Sequence, residues 1–305
     1  MKIGYPCKNL SVGCIGGKTF RLKSYSEERF VSTVRNNLHC LLEMLLFNAA
    51  HNILFFRVTS DLVPFASHPV CQLDWREIFK ETLSEIGAFI RLHGMRISMH
   101  PDQFTLINSR DTEIFKRSMS ELSYHAGVLG ALGLDDTAKI QIHVGGVYGD
   151  RKASIDRFVE RFEMLDEVIK KRLVIENDDT RFTLADCVGI SRGTGIPVVF
   201  DVLHHLILNR GEALLDALQC ASQTWGAEDG LPIVDYSLQK LESRKGKHAE
   251  SLEENGFKTF LEHTRRIDFD LMLEIKDKEK SVLRAISVAA TDPRFVTLPG
   301  FHRGL

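Results

Sequence analysis

Short apolar runs alternate along this chain with longer stretches in which apolar residues recur at three- and four-residue spacing. The runs lie at 2–5, 53–58, 95–99, 139–144, 173–176, 197–201, 231–236 and 270–275. Their length and β-branched content predict buried strands. The stretches between them, at 26–51, 74–93, 111–132, 152–171, 183–190, 210–224, 257–265 and 277–289, predict helices. Ser26 followed by two glutamates, and Asp111 ahead of Ile114 and Phe115, are N-cap signals. Eight strands, each followed by a helix, predict an α/β fold of the (β/α)8 TIM-barrel type. A doubly wound open sheet is the alternative, but it needs no eighth repeat.

The runs share a second property, which is that they break off in polar residues. His100 closes RISMH, His143 closes KIQIH, Glu176 closes LVIE, Asp201 closes PVVFD and Glu274 closes FDLMLE. Asp235 follows LPIV, Arg57 follows ILFF and Tyr5 follows KIG. In a parallel barrel the carboxyl ends of all strands open onto one mouth, so these residues converge there. His68, His204 and His248 fall in the loops after strands 2, 6 and 7. Alone, any one of them reads as a loop residue bonded to water. Together they predict an active site.

Composition narrows the class. The 305 residues are 44% hydrophobic and 26% charged, with a formal net charge of −2, which suits one globular domain and advertises no global basic field. We expect one barrel domain over 1–290 and an irregular tail over 291–305. Six cysteines without a C-x-x-C pair predict reduced thiols and a cytoplasmic protein. No leader pattern and no run of apolar residues long enough to span a bilayer is present.

Carboxylates and imidazoles gathered at buried strand ends are unstable without compensating charge, and divalent cations supply it. Nitrogen and oxygen donors without thiolate suit zinc, manganese or iron in an open site. Nine candidate ligands (His68, His100, His143, Glu176, Asp201, His204, Asp235, His248 and Glu274) can hold two or three ions. Such clusters stabilise both the attacking and the leaving oxygen of a phosphodiester displacement. Asp178 and Asp179 read as a solvated turn or a helix cap, and His205 as structural or as a support behind the ligands.

The motifs FFRVTSDLVPFASH (55–68), RISMHPDQF (96–104), VIEND (174–178), DVLHH (201–205) and GKHAE (246–250), with GYPCKNL at the start, resemble the UV damage endonuclease family. The likeness runs from Gly4 to Lys278. It implies a barrel related to endonuclease IV and xylose isomerase. It also implies hydrolysis of double-stranded DNA 5′ to pyrimidine dimers and 6-4 products, without ATP. The implied ions are manganese, with zinc or magnesium as alternatives. Catalysis would centre on His100, His143, Glu176, Asp201 and Glu274, with Glu176 bridging two ions. Gln103 and Phe104 stand where the family's lesion-probing pair lies, and an amide beside an aromatic face suits a gap left by extruded bases. Tyr5 and Asn9 would line the lesion pocket or touch the backbone, and Arg57 and Lys247 would meet phosphates. No membrane and no obligate protein partner is implied, and a monomer suits an open groove.

Strand 7 departs from the resemblance. Some members carry a lysine and then a histidine at the metals, where this chain has Ile233 and Asp235. Two other functions are weighed: a metal-dependent sugar or sugar-phosphate isomerase on the same barrel, and a lesion-binding relative without catalysis.

Overall fold

A computed structural model describes residues 1–298. Its strands are β1 (Ile3–Pro6), β2 (Phe55–Val58), β3 (Arg96–Met99), β4 (Lys139–His143), β5 (Leu173–Glu176), β6 (Val198–Asp201), β7 (Ile233–Tyr236) and β8 (Asp270–Leu273). Each pairs in parallel with the next, and β8 returns to β1 to close the barrel. The principal helices are α1 (Glu27–Ala50), α2 (Lys80–Leu92), α3 (Thr112–Ala131), α4 (Arg151–Glu163), α5 (Leu184–Thr194), α6 (Leu214–Ser222), α7 (Glu254–His263) and α8 (Glu279–Ala289). The (β/α)8 expectation holds. Ser26 and Asp111 cap α1 and α3, accepting the backbone N–H of Arg29 and of Glu113 and Ile114 respectively.

Two helical expectations differ in detail. The pattern at 152–171 is broken after Glu163 and resumes only as a single turn, Glu167–Lys170. A short helix, Val202–Ile207, follows β6 directly, and Asp201 caps it by accepting the N–H of His204 at 2.8 Å. That turn brings His204 back over the barrel mouth.

Successive strand residues face alternately into the barrel and out toward the helices. Phe55, Val174, Val199, Ile233 and Met272 form one apolar layer inside, and the much larger core lies between the strands and the helix ring. Gly4 falls on the inner alternation opposite Phe55, and a Cβ there would lie 1.7 Å from the Phe55 carbonyl oxygen. The layer beneath is charged and paired: Arg96 meets Asp270 at 2.9 Å, and Lys139 meets Asp229 at 2.5 Å. Past α8 the described residues, to Leu298, form no helix or strand, but the Val296 N–H bonds the Met1 carbonyl and Asn52 bonds both Val296 and Leu298. The expected tail thus packs against the N-terminal end of the barrel as far as Leu298, and its remainder lies outside the described residues.

The cysteine expectation needs correcting. Cys14 and Cys40 are joined in a disulfide, which ties the loop after β1 to α1. Cys7, Cys71, Cys187 and Cys220 are free. No helix among the described residues is long and apolar enough to cross a membrane.

Candidate metal centre and DNA-facing loop

Moving up two residues from the apolar layer reaches Arg57 on β2, Glu176 on β5, Asp201 on β6, Asp235 on β7 and Glu274 just past β8. On β4, Gln141 and His143 share the inner face. Three sets of side chains bring ligand atoms within 4.8 Å of one another: His100, His143 and Glu176; Glu176, Asp201 and His204; and Asp201, Asp235 and Glu274. Glu176 is common to the first two. One of its oxygens lies 3.2 Å from His100 Nε2 and 2.9 Å from His143 Nδ1.

Three histidines are oriented by the backbone. His100 Nδ1 bonds the Pro101 carbonyl at 2.8 Å, His204 Nδ1 the Asn177 carbonyl at 3.0 Å, and His248 Nδ1 the Glu274 carbonyl at 2.8 Å. A carbonyl can only accept, so each Nδ1 carries a proton, and in the neutral form of such a ring the lone pair is on Nε2. This is the arrangement that metal-ligating histidines show when a carbonyl fixes the tautomer. The residues present therefore fit a divalent-metal centre.

The electrostatics agree. Burial would push the Glu176 carboxyl up, but the imidazoles of His143 and His100 outweigh it and hold the group well below the usual carboxylate range. Burial raises Asp201 to about 7, opposed by His204 and reinforced by Glu274 and Glu176. For His204 burial acts downward, yet Asp201, Glu176 and Glu274 together lift it to about 9. Acids and bases crowded at this mouth thus hold one another's protons, and their titrations are linked.

The loop after β3 is exposed and tightly turned. Asp102 accepts the Phe104 N–H at 2.8 Å through its side chain, and its carbonyl accepts the Thr105 N–H at 3.1 Å. The turn leaves the Phe104 side chain pointing away from the core, 72% exposed, beside an exposed Gln103. The neighbouring loop after β4 is fixed by Asn108, which exchanges two hydrogen bonds with Gly146 at 2.9 and 3.1 Å. Gly145 makes that approach possible: its φ is +114°, and a Cβ would come within 2.2 Å of Asn108 Oδ1. Lys247 is half-buried in the turn leading to His248.

Several expected roles are not matched. Tyr5 is fully buried, its hydroxyl donating to Asn48 and accepting from Asn9, each at 2.8 Å, so it cannot reach DNA. It sits on the outward face of β1, packed edge-on to Phe56 at 5.2 Å. Asn9 is also buried and caps the backbone N–H groups of Ser11 and Val12. Arg57 is 2% exposed inside the barrel and is held by Asp235 and Glu274, which removes it as a phosphate contact. Asp235 belongs to the third set, and Arg57 bonds both of its oxygens, at 2.9 and 2.8 Å. His68 is exposed and joins none of the three sets. Its Nδ1 accepts the Val70 N–H at 3.0 Å, which places the proton of the neutral ring on Nε2.

Sequence reasoning misses Gln141. Its amide donates to Glu176 and, at 2.6 Å, to Asp235, while its carbonyl accepts from Arg57 at 2.9 Å. Its position two residues before His143 on one strand is the signal that places both on the inner face.

Fold and site together define a (β/α)8 barrel with a candidate divalent-metal centre at its carboxyl-terminal mouth. The sequence model of the family described as UV-endonuclease UvdE matches residues 1–294, and the chain belongs to that family. The UV DNA damage endonuclease of Clostridium perfringens (strain 13 / Type A) is 37% identical over 289 residues, covering 94% of this chain and 70% of that protein. The crystal structure of SacUVDE superposes with a TM-score of 0.91 at 45% identity, covering 95% of this chain and 98% of the other. Endonuclease IV from Thermus thermophilus, at 16% identity, TM-score 0.58 and coverage of 82% of this chain and 94% of the other, shares the fold.

Proposed function

We propose that this chain is a DNA repair endonuclease that hydrolyses the phosphodiester bond 5′ to UV photoproducts, pyrimidine dimers and 6-4 products, without ATP. The observation that carries the reading is the trio of histidines whose Nδ1 atoms are tied to backbone carbonyls, turned toward carboxylates at the mouth of a barrel of this family. His100, His143 and Glu176 would hold one ion. Glu176, Asp201 and His204 would hold a second, with Glu274 and His248 beside them. Manganese is the first candidate, and zinc or magnesium would also suit the nitrogen and oxygen donors. When bound, such ions stabilise the developing charge on the attacking and leaving oxygens of an in-line displacement.

The chain's own residues select the substrate. Phe104 offers a flat face to stack against bases and Gln103 an amide for their orphaned edges, so the pair fills the gap left when a damaged dinucleotide swings out. A damaged step unstacks at lower cost than an intact one, and selectivity follows from deformability. Lys247, beside His248, would steady a phosphate. The protein would work as a cytoplasmic monomer without an obligate partner.

The test is a duplex carrying one cyclobutane dimer, incubated with the protein and manganese. One nick 5′ to the dimer is expected, with an undamaged duplex left intact and no gain from ATP. Intact damaged strands at protein excess would refute the endonuclease. Turnover of small ketoses without DNA retention would favour the isomerase.

A further inference from the structure

The network beneath the mouth bears on how many ions the site can take. Arg57 is buried within it, bonding both oxygens of Asp235 through one nitrogen and Glu274 through the other. Gln141 continues the chain of bonds from Arg57 and Asp235 to Glu176. Asp235 Oδ2 accepts from both Arg57 and Gln141, at 2.8 and 2.6 Å, so both its lone-pair directions are used. Of the three sets with ligand atoms within 4.8 Å, the one made of Asp201, Asp235 and Glu274 already has a cation on two of its members.

We propose that Arg57 is the resident cation of the inner part of this site, so that the centre takes two divalent ions and Asp235 ligates neither. The inference rests on the metal-centre reading above and adds its stoichiometry. A guanidinium is permanently charged, and here its two terminal nitrogens hold two different carboxylates, Asp235 and Glu274. A divalent ion at the third position would have to displace it or sit against it. Ile233, two residues before Asp235, lies in the apolar layer and offers no donor from below.

Charge balance points the same way. Four carboxylates (Glu176, Asp201, Asp235, Glu274) against one guanidinium leave a formal charge of −3 once bound ions have displaced the imidazole protons. Two divalent ions bring this to +1, which the single charge of an arriving phosphodiester neutralises. A third ion would leave an excess of +2 in a buried site, which is costly.

The experiment is a manganese titration of the full chain by calorimetry, with elemental analysis after desalting. Two ions per chain are expected. Three would overturn the proposal. Asp235→Asn should keep two ions with affinities changed less than about threefold, whereas a fall to one would show that Asp235 is a ligand. Arg57→Gln should admit a third ion, and a folded variant that stays at two would also count against the proposal. Should that variant not fold, the wild-type and Asp235→Asn stoichiometries decide the matter. Nicking of the dimer-containing duplex is read separately: two ions bound without nicking would refute the repair function and leave the stoichiometry standing.

Discussion

The two ends of the barrel solve the same problem in opposite ways. At the amino-terminal end, two buried cations meet two acids: Arg96 with Asp270 and Lys139 with Asp229. Further donors go to the carbonyls of Leu231, Asp229 and Lys171, and the Arg96 guanidinium lies 5.7 Å from the Phe55 ring centroid and 5.5 Å from that of Trp225. The charges of that layer are matched pair by pair. At the carboxyl-terminal end, acids outnumber the one permanent cation, and imidazoles point lone pairs into the same space. Buried charge without a partner is unstable. The lower layer closes the barrel, whereas the upper one is left unfinished so that ions and substrate can complete it.

The largest effect that separates the two ends is expected from Glu176→Gln. Glu176 is shared by two sets of ligands, so removing its charge should lower manganese affinity and slow nicking by about a thousandfold, the order that several kcal/mol of lost transition-state stabilisation implies. Lesion binding, measured by fluorescence anisotropy, should stay within a few fold, and the melting temperature should not fall. Equal loss of binding and nicking would make this layer structural too. Asp270→Ala should do the reverse. It strands the buried Arg96 guanidinium, and breaking a buried pair from one side costs about 3–5 kcal/mol. Denaturant titration should show that loss, while the folded fraction nicks normally.

Much of this contrast is legible in the order of residues. Strand ends announce themselves because the apolar alternation stops at a polar residue, which is what marks His100, His143, Glu176, Asp201 and Glu274. Parity within a strand is legible as well: Tyr5 shares the outward face of β1 with Ile3, which places it in the core between barrel and helices. Partners set by closure are not. Arg57 and Asp235 lie 178 residues apart, and only the shear of the finished barrel puts one guanidinium across both oxygens. His68 illustrates a further limit. Residue type marks it as a ligand, but its tautomer depends on the Val70 N–H, a local turn that composition does not encode. The Cys14–Cys40 pairing depends likewise on where an irregular loop lies against α1.

A smaller effect should appear beneath the mouth, where α3 meets the turn after β2. His125 is fully buried, its Nδ1 bonded to the Glu121 carbonyl at 2.7 Å and its Nε2 3.1 Å from Ser60 Oγ, which in turn bonds the His100 carbonyl at 2.7 Å. Burial pushes this imidazole down to about 4, against the carbonyl bond. The unfolded chain, with a histidine near 6.5, then binds more protons than the folded one between those values. Stability is therefore fully present above pH 6.5 and is lost as pH falls toward 4. The loss between pH 7 and 5 should be about 2 kcal/mol, a drop of about 3 °C in melting temperature for a chain of this length. His125→Gln should remove this share of the acid sensitivity. An unchanged pH dependence in that variant would assign the acid response to other groups, with neither barrel end distinguished by it.

The smallest effect belongs to Phe104, outside both layers. Its ring is exposed and held by the Asp102 turn, so truncation leaves no cavity, and the stability of Phe104→Ala should stay within about 0.5 kcal/mol of the parent. The cost should fall on recognition. A stacked base is worth about 1–3 kcal/mol, so binding to a dimer-containing duplex should weaken about 5- to 150-fold while manganese stoichiometry is unchanged. Phe104→Tyr, which keeps the flat face, should restore most of the affinity. If alanine and tyrosine bind equally well, the exposed ring is a bystander. If alanine instead lowers metal affinity, the loop belongs to the metal centre and does not act as a probe above it. The separation matters because it sets where selectivity resides. A metal centre that only cuts and a loop that only inspects can be weakened one at a time, and each variant should lose one property and keep the other.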